Sequence, residues 1–410
     1  MKKLAILGGS PAKTTPFPNW PVYDEKEEMI LMEVLHSGVW WRTPGTKTLE
    51  FEQKFAAYHQ AKHGIACTNG TAALEMAMAG LGIGLGDEVI VPDYTFVASA
   101  SAVLFAGAMP VFVDIDPETY CIDPEKVEAA ITPRTKAIVA VHLAGHPADL
   151  DRLLEICQVH NLGLIEDCAH AHGSEWKGRK VGAIGSAGTF SFQASKLMTA
   201  GEGGMVITNR DDLEVRIRSV HDCGRMPGRW FYSHYMYGSN YRLSEWQGAV
   251  LTQQLGRLEE QGARRSPNAA YLNQALAEIE GIRPQKLDSR VTRNGHYCYI
   301  FHYDPQAFEG LSCERFIQAL NAEGIPTQAS YPPVHALDVF QNGEFRKRLA
   351  PDHARQPFEF LKASFPVTED AAENTVWLVH RTLLGEQADA EEIVAAVRKI
   401  QAQAKKLVKA

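Results

Sequence analysis

The 410-residue sequence lacks closely spaced cysteines, long basic runs and any stretch that reads as a membrane span. Its seven cysteines are scattered, which favours reduced thiols in a cytoplasmic protein. A formal net charge of -8 without a basic run argues against a nucleic-acid partner. Residues 96–113 carry no charge, but Gly107 and Pro110 predict a buried helix, a turn and a strand there, so no membrane association is expected.

Two nucleotide-binding signatures are also missing. The sequence Gly-x-x-x-x-Gly-Lys-[Ser/Thr] does not occur, which excludes a P-loop. The glycines of residues 80–86 do not match the spacing Gly-x-Gly-x-x-Gly, and they follow a predicted helix and precede a predicted strand. We therefore interpret residues 80–86 as a loop.

The order of predicted elements indicates an α/β fold. Residues 1–48 form an arm that is rich in proline and tryptophan, with one short helix at 24–37. Helices and strands alternate through residues 49–265, which predicts a large domain with a mostly parallel sheet covered on both faces. Residues 266–410 predict a smaller C-terminal α+β domain. Its predicted strands are 297–303 and 325–329, and its predicted helices are 313–323 and 391–408.

The most informative stretch is residues 188–204. A strand-like run reaches Lys196, and Gly201, Gly203 and Gly204 predict a turn directly after it. A lysine in this position can form a Schiff base with an aldehyde cofactor. Its apolar neighbours, Phe192 among them, predict burial, which lowers the pKa of the amine and suits imine formation.

A second segment, residues 68–74, predicts a site for a phosphate. It opens a helix, where free backbone N–H groups and the Thr71 hydroxyl attract an anion and Gly70 permits a close approach. Ser191 lies five residues before Lys196, and an extended strand would bring its hydroxyl to the same phosphate. The alternative is an ordinary helix cap by Asn69 or Thr71.

A third segment places Asp167 at the carboxyl end of a strand predicted at residues 163–167, where ligands bind in open α/β sheets. A carboxylate there can pair with a protonated pyridine nitrogen and make the ring a better electron sink. Two alternatives stay open: Asp167 caps a helix, or Cys168, His170 and His172 hold zinc. The zinc set has no fourth ligand, so we predict no metal.

Taken together, these segments resemble the DegT-type aminotransferases that act on keto-sugars and cyclitols, a branch of the fold-type I pyridoxal 5'-phosphate (PLP) enzymes. The resemblance covers nearly the whole chain and implies PLP as cofactor, a seven-stranded, mostly parallel sheet and a homodimer with shared active sites. The motifs that carry it occur in the family's order: Asn-Gly-Thr-Ala-Ala-Leu at 69–74, Thr-Phe-Val-Ala at 95–98, Glu-Asp-Cys-Ala-His at 166–170, Ser-Phe-x-x-x-Lys at 191–196, Gly-Glu-Gly-Gly at 201–204 and Asn-Tyr-Arg-Leu at 240–243.

The resemblance also implies a role for individual residues. Lys196 would carry the Schiff base and Asp167 would contact the pyridine nitrogen. The remaining cofactor contacts would be Gly70, Thr71, Ala72 and Ser191 at the phosphate, Phe96 on the ring face, His170 beside the ring hydroxyl, and Asn240 at the phosphate of the neighbouring subunit. Substrate contacts would come from Trp41, Arg42, Arg225, Tyr331 and His335. Read without the resemblance, Phe96 is a core residue, Trp41 an interface residue and Asn240 a turn residue.

Three motifs narrow the resemblance to the subgroup of glutamine:scyllo-inosose aminotransferases and 3-amino-5-hydroxybenzoate synthases. They are Ser-Gly-Val-Trp-Trp-Arg at 37–42, Glu-Asp-Cys-Ala-His-Ala-His at 166–172 and His-Asp-Cys-Gly-Arg at 221–225. We therefore expect transfer of an amino group from L-glutamine or L-glutamate to a keto-sugar or keto-cyclitol, in amino-sugar, aminocyclitol or antibiotic biosynthesis. Dehydratase relatives replace the lysine with histidine, and this chain keeps Lys196. The alternatives are dehydration and aromatisation of an amino-shikimate-type ring, amination of a nucleotide sugar, and a catalytically idle sensor with the same fold.

Overall fold

Uninterrupted runs of buried residues form the central strands, as expected for a sheet covered on both faces. The computed structural model describes residues 3–226, 228–355 and 363–409. The strands are β1 (His63–Cys67), β2 (Glu88–Pro92), β3 (Met109–Val113), β4 (Thr135–Val141), β5 (Gly163–Asp167), β6 (Glu175–Trp176), β7 (Arg179–Lys180), β8 (Ala187–Ser191), β9 (Gly204–Thr208), β10 (Ile282–Pro284), β11 (Val291–Arg293), β12 (Cys298–Tyr303), β13 (Thr327–Gln328) and β14 (Thr375–Val379). The helices are α1 (Glu25–Ser37), α2 (Lys47–Tyr58), α3 (Gly70–Leu81), α4 (Ala98–Phe105), α5 (Pro124–Ala129), α6 (Leu150–His160), α7 (Asp211–His221), α8 (Glu245–Ala277), α9 (Cys313–Ala322), α10 (Asp338–Gln341), α11 (Pro351–Ala354), α12 (Pro366–Asn374), α13 (Gln387–Gln401) and α14 (Ala404–Val408).

The seven-stranded sheet has the order β1-β9-β8-β5-β4-β2-β3. Strand β9 runs antiparallel to both of its neighbours, and the other six strands run in one direction. The predicted α/β fold with a mostly parallel sheet is confirmed. Strands β4, β5 and β8 end at the same edge of the sheet, where the crossover connections leave space for a ligand.

The C-terminal part contains a second sheet of four antiparallel strands in the order β10-β12-β14-β13. A short third sheet, β11-β6-β7, connects this part to the loop after β5. Helix α8 runs without interruption past Pro267, so the boundary predicted after residue 265 falls inside one helix. The helix predicted at 391–408 is wrong in detail, because the chain forms two helices there, α13 and α14.

The start of the chain packs into the C-terminal part. Leu4 and Phe17 are buried in the same apolar cluster as Phe301 and Phe316. The Glu323 carboxylate accepts hydrogen bonds from two backbone N–H groups of this segment and holds it in place.

The uncharged stretch at 96–113 forms α4, a turn and β3, which confirms the sequence interpretation. Across the described ranges, the helices are too short or too polar to cross a membrane.

Candidate active site

A cavity of about 750 Å³ lies where β4, β5 and β8 end and α3 begins. Strand ends supply Val141, Asp167 and Ser191 to its wall. Nine residues predicted from the sequence line this cavity. They are Gly70, Thr71, Ala72, Phe96, Asp167, His170, Ser191, Lys196 and Tyr331.

Lys196 reaches the cavity from a turn. The prediction that a strand extends to Lys196 is wrong, because β8 ends at Ser191 and the Lys196 N–H donates to the Gln193 carbonyl at 2.9 Å. The Lys196 Nζ lies 4.5 Å from the centroid of the Tyr297 ring. Burial lowers the pKa of Lys196 to about 8, and the nearby Asp167 charge opposes this shift.

Two aromatic side chains hold the turn that precedes Lys196. Trp20 Nε1 donates to the Ala194 carbonyl at 3.0 Å, and His380 Nε2 lies 3.2 Å from the Ser195 carbonyl. The Trp20 and His380 rings pack edge to face with centroids 4.4 Å apart. The backbone that precedes Lys196 is therefore held by one residue of the N-terminal arm, Trp20, and by one residue of the C-terminal part, His380.

Asp167 is a buried carboxylate at the end of β5. Ser99 Oγ donates to one of its oxygens at 2.9 Å, and the Ala169 N–H donates to the other at 3.2 Å. Burial raises the pKa of Asp167, and in the described chain no lysine or arginine forms an ion pair with it. A buried carboxylate without an ion-pair partner fits the protonated nitrogen of a pyridine ring.

The start of α3 forms the opposite end of the cavity. Asn69 caps this helix, because its Oδ1 accepts the Ala72 N–H at 2.9 Å. Ala72 lines the cavity, but its N–H is therefore already hydrogen-bonded. The N–H groups of Gly70 and Thr71 have no intrahelical acceptor and remain available to an anion. With the Ser191 hydroxyl next to Gly70, these groups fit a phosphate.

His170 lies in a stack of aromatic rings on the cavity wall. Its ring is 3.9 Å from the Tyr297 ring and nearly parallel to it, and its Nε2 lies 3.2 Å from Tyr331 Oη. The Phe96 ring lies 6.1 Å from that of Tyr331 and is half exposed towards the cavity. These rings give a flat cofactor apolar surfaces to pack against.

The chain is similar to known proteins over nearly its whole length. The model of the DegT/DnrJ/EryC1/StrS aminotransferase family matches residues 21–398. The chain belongs to this family. It is 41% identical over 412 residues to the L-glutamine:2-deoxy-scyllo-inosose aminotransferase of Streptoalloteichus tenebrarius, with 97% of each chain covered. It is 42% identical over 394 residues to the 3-amino-5-hydroxybenzoate synthase of Amycolatopsis mediterranei, with 94% of this chain and 98% of that chain covered.

Solved structures give the same result. The crystal structure of 3-amino-5-hydroxybenzoic acid synthase superposes with a TM-score of 0.86 at 41% identity, covering 94% of this chain and 100% of that chain. S. venezuelae DesV in complex with a ketimine intermediate superposes with a TM-score of 0.83 at 35% identity, covering 94% and 99%. The chain is thus a PLP-dependent aminotransferase of fold type I, which confirms the predicted family, fold, enzyme class and cofactor.

Five predicted residues of this aminotransferase do not line the cavity of the single chain: Trp41, Arg42, Arg225, Asn240 and His335. Two of them, Arg42 and His335, bind carboxylates on other segments of the chain. Arg42 Nη2 lies 2.7 Å from Glu52 Oε2, and His335 Nδ1 lies 2.6 Å from the buried Asp93 carboxylate. Both side chains have a structural partner that the sequence does not reveal.

The other three lie on the surface around the end of α7. Arg225 Nη1 is 3.0 Å from Asp222 Oδ1, and Arg225 also packs over the Phe231 ring. Asn240 is exposed and faces Asp222 across an isolated antiparallel bridge. Trp41 is 47% exposed, so it is available to a second molecule.

The sequence interpretation missed several residues of the cavity wall. Ser99 contacts Asp167, and Tyr297 contacts Lys196. Polar atoms near the start of α3 also come from Glu75, Glu202 and Tyr241. Ser99 had a detectable signal, since Thr95 and Ser99 are four residues apart in an uncharged stretch. Their hydroxyls are 2.9 Å apart.

The alternative zinc set of Cys168, His170 and His172 does not come together as a group of ligands in the described part of the chain. Among the described residues, His142, Glu166 and Cys168 have potential ligand atoms within 4.8 Å of one another. The Glu166 carboxylate is already occupied, because it accepts the N–H groups of Gly182 and Gly185 at 2.7 and 2.6 Å. Glu166 therefore stabilises the loop before β8.

Proposed function

We propose that this aminotransferase transfers the amino group of L-glutamine, or of L-glutamate, to the keto group of a cyclitol of the scyllo-inosose type. The observation that carries the proposal is 41% identity, over 97% of both chains, to an enzyme named for that reaction. The cavity wall supports it, because its carboxylates Glu75 and Glu202 can accept hydrogen bonds from ring hydroxyls.

When bound, PLP supplies a carbonyl for the exchange of amines and a ring that takes up the electron pair released at a substrate carbon. Lys196 is the amine that holds the cofactor, and its lowered pKa of about 8 lets Nζ accept and return a proton near neutral pH. Asp167 would keep a proton on the nitrogen of the cofactor ring, and Ser99 fixes the orientation of that carboxylate. Gly70, Thr71 and Ser191 hold the phosphate.

The test is amination of scyllo-inosose and 2-deoxy-scyllo-inosose by the PLP-loaded protein with L-glutamine or L-glutamate as donor. We expect an aminocyclitol by mass spectrometry with the native chain and none with Lys196→Ala. Amination of a nucleotide-linked keto-sugar without any reaction of the cyclitol ketones would contradict the proposal.

A second candidate is the reaction of the 3-amino-5-hydroxybenzoate synthases, because the chain is 42% identical to one of them. Its ring substrate carries a carboxylate, which a cationic side chain would bind. Among the described residues of the cavity wall, Lys196 is the sole lysine or arginine, and it is needed for the cofactor. Incubation with an aminodehydroshikimate-type acid and product analysis would separate the two.

We propose that the enzyme works as a homodimer with shared active sites. The segment before Asn240 exposes an unusual number of aromatic side chains, and such patches mark interaction surfaces. They are Trp230, Phe231, Tyr232, Tyr235 and Tyr237. In the dimer, Asn240 would reach the phosphate in the neighbouring subunit.

Complementation tests the shared site. Lys196→Ala and Asn240→Ala are each expected to lose most activity as homodimers. After mixing and subunit exchange, one site of the hybrid contains Lys196 from one subunit and Asn240 from the other, so activity should return. A mixture that shows only the sum of its parts would argue for independent sites.

We also propose a cytoplasmic location, because all seven cysteines have free thiols in the structure. Such a protein suits a reducing compartment. Cell fractionation with an antibody against the chain tests this proposal.

A further inference from the structure

His170 has a different hydrogen-bonding neighbour at each ring nitrogen. The Ala144 N–H donates to His170 Nδ1 at 3.4 Å, and His170 Nε2 lies 3.2 Å from Tyr331 Oη. Stacking on Tyr297 keeps the imidazole plane fixed between these two contacts. In a neutral imidazole one ring nitrogen donates and the other accepts, so the two hydrogen bonds depend on which nitrogen carries the single proton.

Ala144 is held in an uncommon conformation that aims its N–H at His170. Its backbone has φ 59° and ψ 8°, in the left-handed region that costs energy for residues other than glycine. The same residue accepts the Tyr297 N–H through its carbonyl at 3.0 Å. One peptide segment thus fixes both rings of the stack, His170 and Tyr297.

The position of the protons follows from these contacts. Burial lowers the pKa of His170 well below its usual range, so the imidazole is neutral. Because Nδ1 accepts from Ala144, the proton is on Nε2 and is donated to Tyr331 Oη. Burial raises the pKa of Tyr331 well above its usual range, so the phenol keeps its own proton.

The Tyr331 proton therefore points away from His170. Within the described ranges, only the His170 side chain lies within hydrogen-bonding distance of Tyr331 Oη. Tyr331 lines the cavity. The phenol presents a donor to whatever molecule occupies that space.

We propose that His170 is a positioning residue that makes Tyr331 a hydrogen-bond donor to an acceptor oxygen of the molecule bound in the cavity. Two sources have this chemistry: an oxygen of PLP and a carboxylate oxygen of the amino donor. The inference rests on the proposed function only in that this cavity binds both. It does not depend on which ketone is aminated.

The first experiment measures binding with purified variants. Tyr331→Phe is expected to raise one of two constants by about fivefold to tenfold, the effect of one neutral hydrogen bond: the Kd of PLP for the apo-protein, or the L-glutamine concentration that gives half the maximal rate of the donor half-reaction in single-turnover absorbance measurements. The first result assigns the oxygen to the cofactor, and the second assigns it to the donor. Tyr23→Phe, at an exposed tyrosine, is the matched control. A change below about twofold in both constants would overturn the proposal.

The second experiment asks whether His170 acts through Tyr331. His170→Met should raise the same constant, and the double variant with Tyr331→Phe should be no worse than either single variant. His170→Gln should recover much of the loss, because the amide has one acceptor for Ala144 and one donor for Tyr331. Additive effects, or no recovery with glutamine, would contradict the positioning role.

The third experiment observes the proton in the apo-protein. Nitrogen-15 NMR of histidine-labelled protein should show an unprotonated Nδ1 and a protonated Nε2 for the signal that His170→Gln removes. A proton on Nδ1 would overturn the proposal. All three experiments omit the keto-acceptor, so failure to aminate a cyclitol would leave their outcome unaffected.

Discussion

A Cβ atom on Gly70 would lie 2.7 Å from the Cβ of Ser191, so the start of α3 and the end of β8 are in direct contact. This contact brings free N–H groups and a hydroxyl to one point of the cavity. It also leaves no room for a side chain at residue 70 unless Ser191 shifts.

Gly70→Ala is the first prediction. Relieving the overlap costs about 1–3 kcal/mol and moves the phosphate ligands apart, so the affinity for PLP should fall roughly tenfold or more. Titration of the apo-protein with PLP, followed by absorbance, measures this effect.

The matched control is Gly256→Ala, at an exposed helical glycine with no neighbouring atom within 4 Å of the added Cβ. It should leave PLP affinity unchanged and increase the free energy of unfolding by up to about 1 kcal/mol. Native PLP affinity in Gly70→Ala would show that the phosphate is bound elsewhere.

The second prediction concerns the pH dependence of PLP incorporation into the apo-protein. The unprotonated amine of Lys196 is the reactive form, and its pKa is lowered to about 8. The rate should rise about tenfold per pH unit below that value and become constant above it. Stopped-flow absorbance measures the rate.

The pKa of Lys196 also determines how a substitution at Asp167 and how the stability of the fold depend on pH. Asp167 raises the pKa of Lys196, so Asp167→Asn should move the inflection of the incorporation rate to lower pH. Lys196 has a lower pKa in the folded protein than the ordinary 10.5, so it binds fewer protons when folded and favours folding increasingly from about pH 8 to 10.5. An inflection near pH 10 would mean that Lys196 is solvated.

The third prediction tests the hydrogen bond from Ser99 to Asp167. This bond lowers the pKa of Asp167 against the effect of burial, so Ser99→Ala should raise that pKa further. We expect kcat to fall about fivefold, equivalent to about 1 kcal/mol, and the acidic limb of the kcat profile to move to higher pH.

Ser101→Ala on the same helix is the control, because Ser101 Oγ makes only a long contact of 3.5 Å to the Ala98 carbonyl. Steady-state kinetics as a function of pH compare the two variants. An unchanged profile in Ser99→Ala would show that the carboxylate is held without the hydroxyl.

Much of the fold could be predicted because its signals are local. Buried strands of β-branched residues and amphipathic helices follow one another, and the predicted strand 163–167 matches β5 residue for residue. The cap at Asn69 likewise depends on a neighbouring residue alone. These features place Asp167 and Thr71 at the cavity before any tertiary contact is known.

The rest depends on contacts between distant parts of the chain. Tyr297 reaches Lys196 from about a hundred positions away, and no local pattern indicates it. Arg42 and His335 look free in the sequence because their partners, Glu52 and Asp93, come from other elements. Helix α8 crosses the domain boundary that we predict after residue 265, and it continues past Pro267 although a proline ordinarily ends a helix.

The last prediction concerns Arg265, whose guanidinium is fully buried in α8. Its Nη2 donates to Gln261 Oε1 at 3.2 Å, whereas Nε and Nη1 have no hydrogen-bond partner among the described residues. The Trp20 ring, whose centroid lies 5.8 Å from Cζ, replaces only part of the lost hydration, so Arg265→Met should increase the free energy of unfolding by about 1–4 kcal/mol. Arg264→Met removes an exposed ion pair with Glu260 and should change stability by less than about 0.5 kcal/mol. Urea denaturation of the PLP-loaded protein compares the two, and a loss of stability in Arg265→Met would show that a bound water or anion completes the guanidinium site.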